Sequence, residues 1–339
     1  MKSFPLLTKL LSLALIASSF RGLNAQTPVA SPAPSPLPYT GVNLSGGEFY
    51  HPKPGVAPQY GKNFIYPSPE EFAYFASKGM NVFRVQFLWE TLQPEMNKPL
   101  VPAEVDHLHA CVKSATDKGL IVLLDPHNYA RYYDKIVGSA DVPDAAFADF
   151  WGRLAAEFKD NPNVWFGLMN EPHDLPAEQW LGAANAAIDT IRKTGAQNLI
   201  LVPGIGWTSA GQWTKNGNST VMLGLKDPAN HFVYEVHMYF DPDNSGTHTQ
   251  IASPTIGVER LRDFTAWCRE HKARAFLGEF GAAASPEAAT AIENTLSDME
   301  KNRDVWTGFT WWSAGPWWKD YMFTLEPKKE NGAVIDRPQ

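Results

Sequence analysis

Cysteine is nearly missing from this sequence: 339 residues carry two, Cys111 and Cys268. A disulfide framework is therefore excluded, and at most one bridge could form. Each cysteine lies in a stretch patterned as helix, 103–118 and 258–272. Separate helices rarely bring Cα atoms within the roughly 7 Å a bridge requires, so both are expected as buried free thiols. Positive charge is also short. With 29 Lys+Arg against 36 Asp+Glu the net charge is −7, which offers a polyanion no basic stripe and argues against nucleic acid as a partner. No apolar run is long enough to span a bilayer. Three chemistries lack their signatures as well. Gly41-Val42-Asn43-Leu44-Ser45-Gly46-Gly47 has the wrong spacing for a nucleotide-binding turn and opens no helix. No serine occupies a Gly-x-Ser-x-Gly elbow. His107 and His109 sit two apart on a helical pattern and so face different sides, and no metal site or cofactor is expected.

What is present begins with an export signal. Residues 1–25 carry Lys2 and Lys9, an apolar run from Leu10 to Ala17, and small residues up to Ala25, near which cleavage is expected. Residues 26–38 are rich in Pro, Ser and Ala and read as an extended spacer. The remainder, 39–339, is expected to form one domain, since a composition 44% hydrophobic and 12% aromatic can bury a large single core. The product would be secreted, extracellular or periplasmic, and free of the membrane once the signal is removed.

Eight short apolar runs recur along this domain: 40–44, 82–87, 120–124, 164–169, 199–202, 232–237, 275–278 and 308–312. Helical patterns at 69–78, 103–118, 145–159, 178–193, 258–272 and 286–301 separate most of them, and the gap between the fifth and sixth runs is instead rich in Gly, Trp and Asn. Alternating strands and helices imply a parallel sheet. Eight strands imply an α/β fold closed as a (β/α)8 TIM barrel, with an open doubly wound sheet as the alternative.

A barrel keeps its chemistry at the carboxyl ends of its strands, and the polar residues of this sequence fall there. Arg84 lies within the second run, His127 ends the third, Asn170 and Glu171 the fourth, His237 and Tyr239 the sixth, Glu279 the seventh and Trp312 the eighth. A strand of Val, Trp, Phe and Leu has no packing reason to finish in Asn170-Glu171-Pro172, because burying an unpaired carboxylate costs about several kcal/mol. Arg84 alone could be a structural ion pair, and each histidine a satisfied core residue. Two acids, two histidines and an arginine converging on one mouth point instead to metal-free carboxylate chemistry. Trp207, Trp312, Trp317 and Trp318 offer faces for sugar rings, although Trp312 could equally be core filler.

The segments Asp125-Pro126-His127-Asn128-Tyr129-Ala130-Arg131-Tyr132, Trp165 to Asp174 with Asn170-Glu171-Pro172 at its centre, Val236-His237-Met238-Tyr239-Phe240-Asp241, Asp243 to His248, and Gly278-Glu279-Phe280-Gly281 resemble glycoside hydrolase family 5. They are similar to its endo-β-1,4-glucanase branch and arrive in order over residues 39–325. The resemblance implies retaining cleavage of internal β-1,4-glucosidic bonds, with Glu171 as acid/base and Glu279 as nucleophile. It implies that Asn170 holds the sugar 2-hydroxyl, that Arg84 and Tyr239 contact the nucleophile and His237 the acid/base, and that His127 and Trp312 meet the sugar. The substrate would be a β-glucan polysaccharide or oligosaccharide, and the chain a monomer. Fungal members of the branch often carry several disulfides and a carbohydrate-binding module, which this chain does not match. A mannanase, xylanase or xyloglucanase of the same family, or a noncatalytic glycan-binding barrel, remain the alternatives.

Overall fold

A computed structural model describes residues 37–339, so the expected signal and all of the spacer except Leu37 and Pro38 lie outside the described residues. Leu37 is already buried, at 1% exposure, and the Pro38 carbonyl accepts from Asn81 Nδ2 at 2.8 Å. Packing thus starts two residues upstream of the expected domain boundary.

The apolar runs form eight strands: β1 (Tyr39–Gly47), β2 (Val82–Phe87), β3 (Ile121–Pro126), β4 (Val164–Gly167), β5 (Ile200–Pro203), β6 (Phe232–His237), β7 (Ala275–Glu279) and β8 (Trp306–Ala314). Neighbours in sequence pair in parallel, and β1 closes on β8 to complete the barrel. The longer helices of the crossovers are α1 (Pro69–Ser77), α2 (Pro102–Thr116), α3 (Asp144–Phe158), α4 (Ala177–Lys193), α5 (Ile256–Glu270) and α6 (Pro286–Lys301), with a single turn at Trp89–Leu92 ahead of α2. The start of α1 shows how sequence sets a boundary. Ser68 Oγ accepts from the Glu71 amide while Glu71 Oε2 accepts from the Ser68 amide, and Pro69 supplies the first helical φ. Between β5 and β6 the chain makes only short turns, 210–212, 218–221 and 222–224, as the Gly- and Asn-rich sequence there requires.

Two apolar layers hold this frame. One lies between strands and helices and contains Leu108, Phe147, Trp151, Trp180, Ile188 and Phe264 among many others. The second plugs the barrel at the amino ends of its strands with Val82, Leu123, Trp165, Leu201, Val233 and Phe276. Tyr39 meets Trp165 edge-on at 4.6 Å beneath them. Cys111 and Cys268 are free and buried, as expected. Among the described residues no helix is long and apolar enough to cross a membrane.

Candidate active site

Side chains on a strand alternate between faces, so every second residue of β2, β3 and β6 enters the barrel. Along each strand these positions change from apolar to charged: Val82 to Arg84 to Gln86, Leu123 to Asp125 to His127, and Val233 to Glu235 to His237, all buried. On β7 a register shift falls between the Val236–Leu277 and His237–Glu279 pairs. It re-aims Glu279 so that its carboxyl meets the same chamber, a common use of strand irregularity beside active sites. Some expected placements need correction: His127 lies one residue past β3 and Tyr239 two residues past β6. β4 stops at Gly167, so Asn170 and Glu171 lie beyond the strand end and not on it. Bonds from the Leu168 amide to Leu201 O (3.0 Å) and from the Asn170 amide to Pro126 O (2.9 Å) carry the chain up to them. Glu171 itself sits at φ 40°, a left-handed conformation that costs a non-glycine residue about 1–3 kcal/mol and gathers at functional sites.

Arg84 is fully buried and organises the chamber. Its Nη1 lies 2.8 Å from Glu279 Oε1 and 3.1 Å from Asp125 Oδ2, and its Nε lies 3.0 Å from Glu235 Oε1. Nη1 also donates to Asn43 Oδ1 at 3.0 Å, and Nη2 donates to Asn170 Oδ1 at 2.8 Å. The two sequence readings of Arg84, structural ion pair and partner of Glu279, are therefore both true of one side chain. Asn43, Gln86, Asp125 and Glu235 were not among the sequence-derived site residues. The signal for Glu235 was available: a carboxyl inside Phe232-Val233-Tyr234-Glu235-Val236-His237, on the face that His237 shares.

The acid pair occupies contrasting settings. Tyr239 Oη donates to Glu279 Oε2 at 2.7 Å while Arg84 holds Oε1; one donor per oxygen stabilises a charged carboxylate. Glu171 Oε1 faces His237 Nδ1 at 2.7 Å, and that nitrogen is 3.5 Å from Glu279 Oε2. A carboxyl oxygen of Glu171 and one of Glu279 lie within 4.8 Å of each other. Burial raises the Glu171 carboxyl above its ordinary range, with the like charge of Glu279 adding to it and the His237 hydrogen bond opposing. Burial works against charge on His237, but Glu279, Glu171 and Glu235 outweigh it and push its pKa up to about 10. Tyr239 is raised well above its usual value by burial and by Glu279, which keeps its hydroxyl a donor.

Among the described residues, two sets of ligand-type side chains are spaced closely enough for a cation. In the first, Glu171, His237 and Glu279, the Arg84 guanidinium 2.8 Å from Glu279 repels a second positive charge. In the second, Asp241, Asp243 and His248, Asp241 accepts the Gly246 and Thr247 amides, each at 3.1 Å, and so orders its own loop.

The expected sugar-facing residues flank the acids. A cavity of about 330 Å³ is lined by His127, Trp312 and Trp318 with Glu48, Glu90 and Tyr129. Another of about 580 Å³ is lined by Glu171, His237, Tyr239 and Trp207 with Gln212 and Asn244. Trp312 lies within β8 and not at its end; it is half-buried and stacks on His127 with centroids 5.5 Å apart and planes 15° apart. It lines a cavity, so the core-filler reading does not hold. Trp207 is 51% exposed and rests flat on His173 at 4.6 Å. Of the residues named from sequence, Glu171, His237, Tyr239 and Trp207 line one cavity and His127, Trp312 and Trp318 the other; Arg84, Asn170 and Glu279 are joined to one another beneath them, and Trp317 lines neither and lies 6.2 Å from the Phe49 ring.

The sequence pattern of the family "Cellulase (glycosyl hydrolase family 5)" matches residues 39–315. Endo-beta-1,4-glucanase B of Aspergillus niger is 41% identical over 288 residues, covering 85% of this chain and 84% of that protein. Endo-beta-1,4-glucanase Xac0029 from Xanthomonas axonopodis pv. citri, a solved structure, is 46% identical with a TM-score of 0.85, covering 89% of this chain and 95% of the other. XacCel5A, solved in complex with cellopentaose, is 48% identical with a TM-score of 0.86, covering 90% and 97%. By barrel, site and sequence together, the chain belongs to glycosyl hydrolase family 5, the cellulase family of (β/α)8 glycoside hydrolases.

Proposed function

We propose that this protein is an exported, endo-acting β-1,4-glucanase that retains anomeric configuration, with Glu171 as acid/base and Glu279 as nucleophile. The observation that carries the reading is the approach of the two carboxyls to within 4.8 Å between their oxygens. Retaining glycosidases hold their carboxyls about 5–5.5 Å apart, whereas inverting enzymes need about 6.5–9.5 Å to admit a water. Glu279, gripped by Arg84 and Tyr239, attacks the anomeric carbon while Glu171, held protonated by burial and by the nearby Glu279 charge, protonates the leaving oxygen. Once Glu279 is esterified its charge is gone. Glu171 then ionises more readily and accepts the proton of the incoming water.

Substrate contacts follow the same geometry. Asn170, its Oδ1 fixed by Arg84 and its NH2 3.1 Å from His127 Nε2, has one amide hydrogen left to offer the sugar 2-hydroxyl. His127 and Trp312 bound the reacting subsite, and Trp207 offers an exposed face beyond the acids. Cavities on both sides of the acid pair suit a chain that enters from either direction, and relatives described as endo-β-1,4-glucanases support the substrate class. Parallel digestion of carboxymethyl cellulose, lichenan, mannan and xylan tests it. Viscosity of the β-glucans should fall faster than reducing ends appear; dominant release from mannan or xylan overturns the substrate assignment.

A further inference from the structure

The same pattern, an acid followed two residues later by a histidine, occurs at the carboxyl ends of two strands: Asp125-Pro126-His127, whose histidine lies one residue past β3, and Glu235-Val236-His237, which ends β6. Both acids grip Arg84, at 3.1 and 3.0 Å. Their histidines, however, meet different company. His127 Nδ1 faces Asp125 Oδ2 at 2.9 Å, while its Nε2 lies 3.1 Å from Asn170 Nδ2 and 3.3 Å from Tyr129 Oη. Because Asn170 gives its oxygen to Arg84, its NH2 points at His127, whose Nε2 must accept. The hydrogen-bond geometry thus sets His127 as a neutral ring with its proton on Nδ1, even though burial, which opposes charge on it, is outweighed by Asp125 and Glu279, which raise its pKa above the ordinary value. His237 has no such donor. Its Nδ1 faces Glu171 at 2.7 Å and Glu279 at 3.5 Å, and its Nε2 faces Glu235 Oε1 at 3.5 Å. Both ring nitrogens look at carboxylates.

We propose that Glu235, which no substrate can reach, is a positioning residue that keeps His237 doubly protonated and directed at Glu171, and that steadies Arg84 against Glu279. Asp125 is its counterpart on the other strand and fixes a tautomer instead of a charge. The barrel makes room for this carboxyl and no more: a Cβ at Gly278 would lie 2.1 Å from Glu235 Oε1. Glu235 is 1% exposed, and Arg84 first among its charged neighbours holds its carboxyl below the ordinary range against the cost of burial. The groups that face His237 are thus Glu171 from the loop after β4, Glu235 on its own strand and Glu279 from β7, with Arg84 reaching it only through Glu235 and Glu279. Without Glu235 the carboxylate 3.5 Å from Nε2 would be gone, and a buried imidazolium that has lost a nearby opposite charge sheds its proton more easily.

The consequence for catalysis rests on Glu171 being the acid/base. A cationic His237 donates to Glu171 throughout the cycle, so the acid keeps one orientation as it gives and recovers its proton. The test uses the full chain labelled with ¹⁵N-histidine, with the nine histidines assigned by single substitutions. In wild type, His237 should carry both ring protons past pH 8 and His127 only one. Glu235→Gln should turn His237 neutral within the range pH 5–8 and lower kcat about 10- to 100-fold, short of a full general-acid loss, with KM changed less than about threefold. Asp125→Asn should leave the His237 signals in place and disturb those of His127, and Glu235→Asp, which keeps the charge, should restore a cationic His237 and part of kcat. A wild-type His237 that is neutral below pH 7 overturns the proposal without any variant. So does a Glu235→Gln protein whose His237 titrates as before. Because the histidine signals are read without substrate, they stand or fall separately from the substrate and stereochemical assignments above.

Discussion

The amino and carboxyl halves of the barrel interior are built on one alternation and put to opposite uses. Toward the amino ends the inward positions are Val82, Leu123, Trp165, Leu201, Val233 and Phe276, an apolar plug with nothing to titrate. Two residues further along β2, β3 and β6 the same face carries Arg84, Asp125 and Glu235, and two further still Gln86, His127 and His237, all buried. Burial stabilises the first set by roughly 1.5–3 kcal/mol per side chain. The second gains nothing of the kind, since desolvating charges costs more than pairing returns unless every partner is in place. The plug therefore holds the frame rigid, and the frame forces close together charges that would otherwise separate. Strain at Glu171 (φ 40°) belongs to the same division of labour.

The widest separation between the halves should come from Glu279→Gln. The change is isosteric and removes the attacking group, so turnover on a soluble β-glucan should fall by more than about 10⁴-fold while the melting temperature holds or rises. Activity within tenfold of wild type in a pure preparation would remove Glu279 from the nucleophile's role. The opposite variant, Leu123→Ala, lies in the plug and should cost about 2–5 kcal/mol of stability. Its kcat, measured well below its melting point, should stay within about threefold. If the plug variant loses chemistry in proportion to stability, the two halves are not separable.

Trp312→Ala probes the border. Loss of its face in the cavity it shares with His127 should cost about 1–3 kcal/mol in kcat/KM and leave both limbs of the pH profile where they were. A variant that fails to fold by circular dichroism would return Trp312 to the core. The smallest effect expected is on stability as a function of pH. Because the folded Glu171 carboxyl is raised by burial and by Glu279, the native state binds its proton more tightly than the unfolded chain does. The stability this supplies is complete below an unfolded value near about 4.3 and is lost as pH rises through the raised value, at about 1.4 kcal/mol for each unit of displacement. Glu171→Gln, neutral throughout, should not show that decline, so its melting temperature should gain on wild type from pH 4 to pH 8. Parallel melting curves across that range would contradict the assignment of Glu171 as the raised acid.

Most of the frame is legible in the sequence alone, because strand and helix periods differ and Gly, Pro and Asn mark the breaks. Between β5 and β6 the sequence, rich in Gly, Trp and Asn, shows only a weak pattern, and the chain there makes short turns. Boundaries were less secure: Leu37 joins the core despite its prolines, and β4 ends three residues before Asn170, because proline-rich composition and an apolar run record preference and not pairing. Within the site, the residues at strand ends were legible as polar groups where packing has no use for them. Asn43, Asp125 and Glu235 were not picked out. They sit one layer deeper, where their value depends on Arg84 crossing from β2 to reach them, and no local pattern records a contact made across a barrel. Trp312 could be resolved only by knowing what lay beside it, since a half-buried face on His127 and a core ring share one sequence signature.

The central claim is that Glu171 and Glu279, with oxygens within 4.8 Å, act on opposite faces of one sugar by double displacement. Proton NMR of freshly released product from a soluble β-1,4-glucan, recorded before mutarotation, reads this directly. The account predicts the β-anomer as the first product, with the α-anomer growing in only by mutarotation; an initial α-anomer would mean that water attacks directly and that Glu279 is not a nucleophile.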